Sequence, residues 1–131
     1  MKVSMFLPDV LDGLTELSDR EIQIKLWLHG DKDGMSSFTE AICGVFDDGR
    51  VTRSMEEGTI SEPLLGLFKK LDALIDRIPE HVVPGIIIDH SSMPELRAVA
   101  SNLLQILQEQ KSESDSPRGA EGGSGSEEIN P

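Results

Sequence analysis

A Ser-x-x-Glu signature occurs three times in this chain, at Ser18–Glu21, Ser37–Glu40 and Ser92–Glu95. In each, the serine oxygen can accept an orphan N–H of a helix first turn while the glutamate reaches back to the cap N–H. Two of the three open a clear helical period. After Ser37 the apolar residues are Phe38, Ala41, Ile42, Val45 and Phe46. After Ser92 they are Leu96, Val99, Ala100, Leu103, Leu104 and Leu107, which predicts a helix to about Gln110. A further helix reads from Ser61 or Glu62, with Pro63 tolerated in its first turn. Its face is Leu64, Leu67, Phe68, Leu71, Leu74, Ile75 and Ile78, and Pro79 stops it. A shorter helix over Asp9–Leu17 rests on Val10, Leu14 and Leu17, with Gly13 weakening it.

The segment Ile22–Leu28 carries two conflicting signals. Alternation of Ile22, Ile24, Leu26 and Leu28 fits a half-buried strand. The Ser18/Glu21 box and the terminal Gly30 fit a helix, as do the helical neighbours on both sides. Val51-Thr52-Arg53 and Gly85-Ile86-Ile87-Ile88 are the other strand candidates. The expected fold is all-α, a compact bundle of about five helices. The alternative, should all three segments be strands, is α+β with a small sheet.

Residues 112–131 are rich in Gly and Ser and hold five acids, Arg118 and one large aliphatic, Ile129. Nothing in that stretch offsets the entropy of ordering it, so it reads as a disordered acidic tail behind a single folded domain, 1–111. Over the whole chain 24 acids face 12 bases, a formal charge of −12. Phosphate contacts need a basic surface, so nucleic acid is not an expected partner, and an anionic membrane is equally disfavoured. No apolar run approaches the ~20 residues of a membrane span. The first nine residues turn acidic too early for a signal peptide. Cys43 is the only cysteine, which excludes an internal disulfide. A soluble, cytoplasmic protein is the expectation.

Residues His29 to Glu40 overlie a calcium loop in part, with Asp31, Asp33, Gly34, Ser37 and Glu40 at loop positions 3, 5, 6, 9 and 12. His29 stands where the first oxygen ligand belongs, Ser36 where an apolar residue pairs two loops, and Glu40 has a competing capping role. Cys43 with His29, His81 and His90 contains the elements of a thiolate–base pair. Yet Cys43 lies inside a helix beside its apolar stripe, where cysteine behaves as a small hydrophobe. Asp89-His90 resembles half of a hydrolytic dyad, but Asp89, Ser91 and Ser92 read better as the approach to a helix. No Walker loop, GxGxxG, HExxH or GxSxG occurs. The chain offers no catalytic constellation, so no cofactor and no metal ion are expected.

The acids are more informative. They gather in loops as Asp31 with Asp33, Asp47 with Asp48, and Glu56 with Glu57. Converging, they would steer a basic protein partner and speed its association; otherwise they keep the domain solvated. Trp27 is either a core residue or an exposed anchor beside that patch.

The run Leu17-Ser18-Asp19-Arg20-Glu21-Ile22-Gln23-Ile24-Lys25-Leu26-Trp27-Leu28 resembles the opening of a group of small acidic bacterial proteins. Their pattern is Leu-Ser-Asp-x-Glu-Tyr-Gln-x-x-Val-Trp-Val. Leu17, Ser18, Asp19, Glu21, Gln23 and Trp27 match, while Ile22 replaces the tyrosine and Leu26 the first valine. Phe46-Asp47-Asp48 is similar to that group's aromatic-Asp-Asp, and the layout of Leu71–Ile78 and Asp89–Leu107 follows it. The resemblance spans roughly residues 11–107. It implies helix across 19–28, an immunity-type role beside bacterial polymorphic toxins, and no catalytic residues. The leading functional expectation is therefore an immunity-type inhibitor whose acidic surface neutralises a basic toxin such as a nuclease. An acidic secretion chaperone or adaptor, with helices covering a sheet, is the second. A metal-assisted hydrolase using His29, Asp31, Asp33, Asp89 and His90 is the third.

Overall fold

The computed structural model describes residues 4–29 and 36–115, and every regular element among them is helical. The fold is all-α, and the alternative with a small sheet is excluded for the described residues. Helix α1 (Leu7–Ser18) has Pro8 in its first turn. After one extended residue, Asp19, comes α2 (Arg20–Gln23), which widens into a π-helical stretch (Ile24–His29). Helix α3 (Phe38–Cys43) likewise passes into a π-helical stretch (Gly44–Asp48). Then follow α4 (Val51–Glu56), α5 (Leu64–Ile75), α6 (Pro84–Ile88) and α7 (Met93–Asp115).

Helix α7 is the axis. It packs against α1 and α5, and α1 in turn packs against α3 and its π continuation. The expected stripes are the buried faces: Val10, Leu14 and Leu17 on α1, Phe68 and Leu71 on α5, and Leu96, Leu103 and Leu107 on α7. Removing a side chain such as Phe68 completely from water is worth about 1.5–3 kcal/mol, so the apolar periodicity dominates the stability of each helix.

Four local expectations need correction. Val51–Arg53 and Gly85–Ile88 are helical, in α4 and α6. So short a segment has no partner edge to complete its hydrogen bonds as a strand, whereas a helix pairs its backbone within itself. These two elements account for the helices beyond the expected five. The cap of α2 is Asp19 rather than Ser18: Asp19 Oδ1 accepts the Glu21 and Ile22 N–H groups at 2.9 and 3.2 Å. The Ser18 hydroxyl instead donates back to the Thr15 carbonyl. At Ser37 the cap is as expected, its Oγ accepting the Glu40 N–H at 3.0 Å. Finally, α7 continues through Asp115, past the helix end expected at about Gln110. The tail beyond 115 lies outside the described residues.

The Ile22–Leu28 alternation also misleads about which residues face inward. Gln23 and Trp27, of the opposite parity, are the buried ones; Ile22, Ile24 and Leu26 are half-buried and Leu28 is exposed. A four-residue step keeps positions 23 and 27 on one helical face, and that face meets the core. Gly13 has a packing reason. A Cβ there would lie 2.8 Å from the Ala41 carbonyl oxygen and 2.5 Å from Val45 Cγ2, so α1 and α3 touch backbone to backbone.

Candidate functional site

The corner between α1 and α2 is built by one buried amide. Gln23 Nε2 donates to the carbonyls of Glu16 and Leu17, both at 3.0 Å, and so satisfies two of the orphan acceptors at the end of α1. Gln23 Oε1 accepts from Arg97 Nε at 3.0 Å, and Arg97 Nη2 donates to the Ile88 carbonyl at 2.7 Å. One side chain thus ties α1, α2 and α7, and through Arg97 the end of α6. Burial, and after it the neighbouring Arg20, lowers the Arg97 guanidinium from its ordinary value, while Asp89 and Asp19 act the other way. A guanidinium stays charged regardless, so this corner is a fixed clamp.

The same corner accounts for Asp89-His90. Asp89 Oδ1 pairs with Arg20 Nη2 at 2.9 Å. The Ser92 N–H donates to His90 Nδ1 at 3.0 Å. His90 thus braces the α6–α7 turn, and Asp89 ties the end of α6 to α2. Half of the calcium-like loop, residues 30–35, lies outside the described residues, Asp31 and Asp33 among them. Among the described residues no three His, Cys, Asp or Glu side chains gather as a metal site would require. Cys43 is exposed, contrary to the expectation that it packs as a small hydrophobe. The α3 face turned toward α1 is that of Ala41 and Val45, and Cys43 points away from it.

Of the expected partner-binding acids, Asp47, Asp48 and Glu56 are exposed and Glu57 is half-buried. Asp47 and Asp48 precede α4 and Glu56 and Glu57 end it, so a six-residue helix about 9 Å long lies between the two pairs in the chain. Bases lie between them. Arg53 Nε pairs with Glu57 Oε2 at 3.4 Å, and the Arg50 guanidinium sits 5.6 Å from the centroid of the Phe6 ring. This elbow is therefore a mixed surface with an acidic excess rather than one unbroken negative patch.

Trp27 is a core residue, 6% exposed. Its ring meets Phe38 edge to face with centroids 5.8 Å apart, and its Nε1 donates to Glu16 Oε1 at 3.0 Å. It is not an anchor standing out from the surface, which corrects that alternative. Its ring does line a cleft of about 80 Å³, together with Ser37, Phe38, Thr39, Glu80, Val82, Pro84 and Ile87. Thr39 Oγ1 donates to Glu80 Oε1 at 2.8 Å across this cleft.

Sequence reasoning did not single out this cleft. The available signal was the run Val82-Val83-Pro84-Gly85-Ile86-Ile87-Ile88, which holds more large aliphatics than a five-residue helix can turn inward. Ile87 and Ile88 are buried, while Val83 and Ile86 are left outside. No helix among the described residues is long and apolar enough to cross a membrane. Compared with known protein families, curated proteins and solved structures, the chain matches none.

Proposed function

We propose that the chain is a non-catalytic protein-binding module, an immunity-type inhibitor that covers a basic protein such as a toxin nuclease. The observation that carries the reading is one surface composition: a chain of formal charge −12 that leaves Leu28, Val82, Val83 and Ile86 exposed, with Val82 lining a cleft. Long-range acidic charge accelerates encounter with a basic partner, and a small apolar centre slows dissociation. The residues that carry the resemblance in Leu17–Trp27 have structural work in this fold, since Asp19 caps α2, Gln23 clamps the corner and Trp27 fills the core. The likeness therefore supports the reading through architecture, with no claim on the contact residues themselves. The secretion-adaptor alternative asked for strands at 22–28 and 86–88, and both segments are helical.

The test is capture with the full chain from its native host at low and high salt, followed by kinetics on the partner obtained. A basic protein released by salt is expected. Asp47→Asn with Asp48→Asn should slow association several-fold and leave dissociation nearly unchanged, as rim charges do. Salt-independent binding, untouched by those two changes, refutes the electrostatic part of the proposal.

A further inference from the structure

Four exposed aliphatics belong to two stretches of chain that pack against each other, one carrying Leu28 and the other leading into and through α6. Val83 is 63% exposed, Ile86 55%, Leu28 47% and Val82 36%. Val82 lines the Trp27–Phe38 cleft, and the other three adjoin its lining residues Trp27, Pro84 and Ile87 in the chain. Helix α6 packs against the π-helical stretch that carries Leu28, so the two sets share one end of the bundle. The cleft's volume of about 80 Å³ suits a single aliphatic side chain. Glu80 is the one charged residue in its lining. Thr39 takes one of the two Glu80 carboxylate oxygens and so fixes the charge at the edge of an apolar depression.

We propose that this cleft is a docking site for a basic segment of a partner protein, which inserts one Leu, Ile or Met against Trp27 and Phe38 and sets a neighbouring Lys or Arg on Glu80. The inference rests on the protein-binding reading and names the contact that the acidic elbow at α4 does not supply. Charge decides the occupant. A second copy would bring two chains of −12 together. A cleft of about 80 Å³ takes one side chain, whereas a stable dimer buries roughly 800 Å² per partner. A basic segment meets neither obstacle. Its cation finds a carboxylate already held in place, and its aliphatic anchor finds aromatic walls that do not have to move.

The experiment titrates the full chain with synthetic peptides that lack Trp. A helical Leu/Lys peptide is compared with a Ser/Lys peptide of equal charge and a Leu/Glu peptide of equal apolar content. Trp27, the chain's single Trp, reports occupancy by its emission, and calorimetry gives the stoichiometry. The Leu/Lys peptide should bind one to one, at least tenfold more tightly than either control. Val83→Asp combined with Ile86→Asp, both at exposed positions, should weaken it tenfold or more with the helical circular dichroism unchanged. Glu80→Gln keeps an acceptor for Thr39 and should cost three- to fivefold, the measure of a solvent-exposed ion pair. Equal binding of the Ser/Lys peptide, no binding of any peptide, or indifference to the double substitution overturns the proposal. If a native basic partner still binds the double variant in a salt-sensitive way, the binding-module reading survives and this docking site falls. If the Leu/Lys peptide binds as expected and no basic partner is found, the docking site survives and the inhibitor reading falls.

Discussion

Replacing Gly13 with alanine sets two effects against each other. In a solvent-exposed helix the change stabilises by about 1 kcal/mol, because alanine has the better helix propensity. Here the new methyl would lie 2.5 Å from Val45 Cγ2, 2.8 Å from the Ala41 carbonyl oxygen and 3.3 Å from the Val45 nitrogen. Carbon atoms pack at about 3.5–4.0 Å, so the methyl–methyl contact falls short by about 1 Å. Val45 is fully buried in a helical stretch, where a β-branched side chain has one favoured rotamer, so it cannot swing clear cheaply. The Ala41 oxygen is backbone and moves only if α1 and α3 separate. Overpacking of this kind costs about 1–3 kcal/mol, more where backbone must shift. We expect Gly13→Ala to lose about 1–2 kcal/mol net, a fall in Tm of roughly 4–16 °C for a domain of this size. Urea unfolding followed by circular dichroism measures it, with an unchanged m-value showing that the denatured state is unaffected. Gly85→Ala, where a Cβ meets nothing within 4 Å, is the control and should be neutral or slightly stabilising. A Gly13→Ala midpoint at or above wild type would refute the close-contact argument.

Three further outcomes follow from individual side chains. Gln23→Leu removes two hydrogen bonds to carbonyls and one from a guanidinium, together worth about 3–5 kcal/mol; a double-mutant cycle with Arg97→Met should return a coupling above about 1 kcal/mol, and additive losses would show that the clamp is not shared. The Ser54 hydroxyl is buried with no hydrogen-bond partner among the described residues, so Ser54→Ala should gain about 1 kcal/mol, and a clear loss in the same unfolding assay would contradict that. Partial burial, then the charge of Asp76, holds the Asp72 carboxyl above its ordinary value of 3.8. The folded state thus binds that proton more tightly than the unfolded chain does. Ionised Asp72 costs stability above its folded pKa, and the cost disappears as pH falls through that value toward 3.8. Asp72→Asn should be slightly more stable than wild type at pH 7, by no more than about 0.5 kcal/mol because solvent screens the site. An advantage of equal size at pH 3 would argue against the assignment.

The amphipathic periods of α1, α3, α5 and α7 were legible in the sequence because each stripe repeats at the helical interval and has one face to bury. The apolar residues of those stripes are the core almost without exception, and Ser37 caps α3 as its spacing predicts. Other features depend on distant partners. Gly13 reads locally as a weak point in a helix, yet only the crossing of α3 shows why no side chain fits there. Gln23 reads as a polar residue in an apolar alternation, and its burial makes sense once Arg97, 74 positions along the chain, approaches its oxygen. The acids at 47–48 and 56–57 read as a negative surface, but the pairing of Arg53 with Glu57 and the seat of Arg50 over the Phe6 ring emerge only from the fold. The cleft is the clearest case. Local pattern at Val82–Ile88 shows surplus aliphatics, but that Trp27, Phe38 and Glu80 meet Ile87 there is decided by tertiary packing alone.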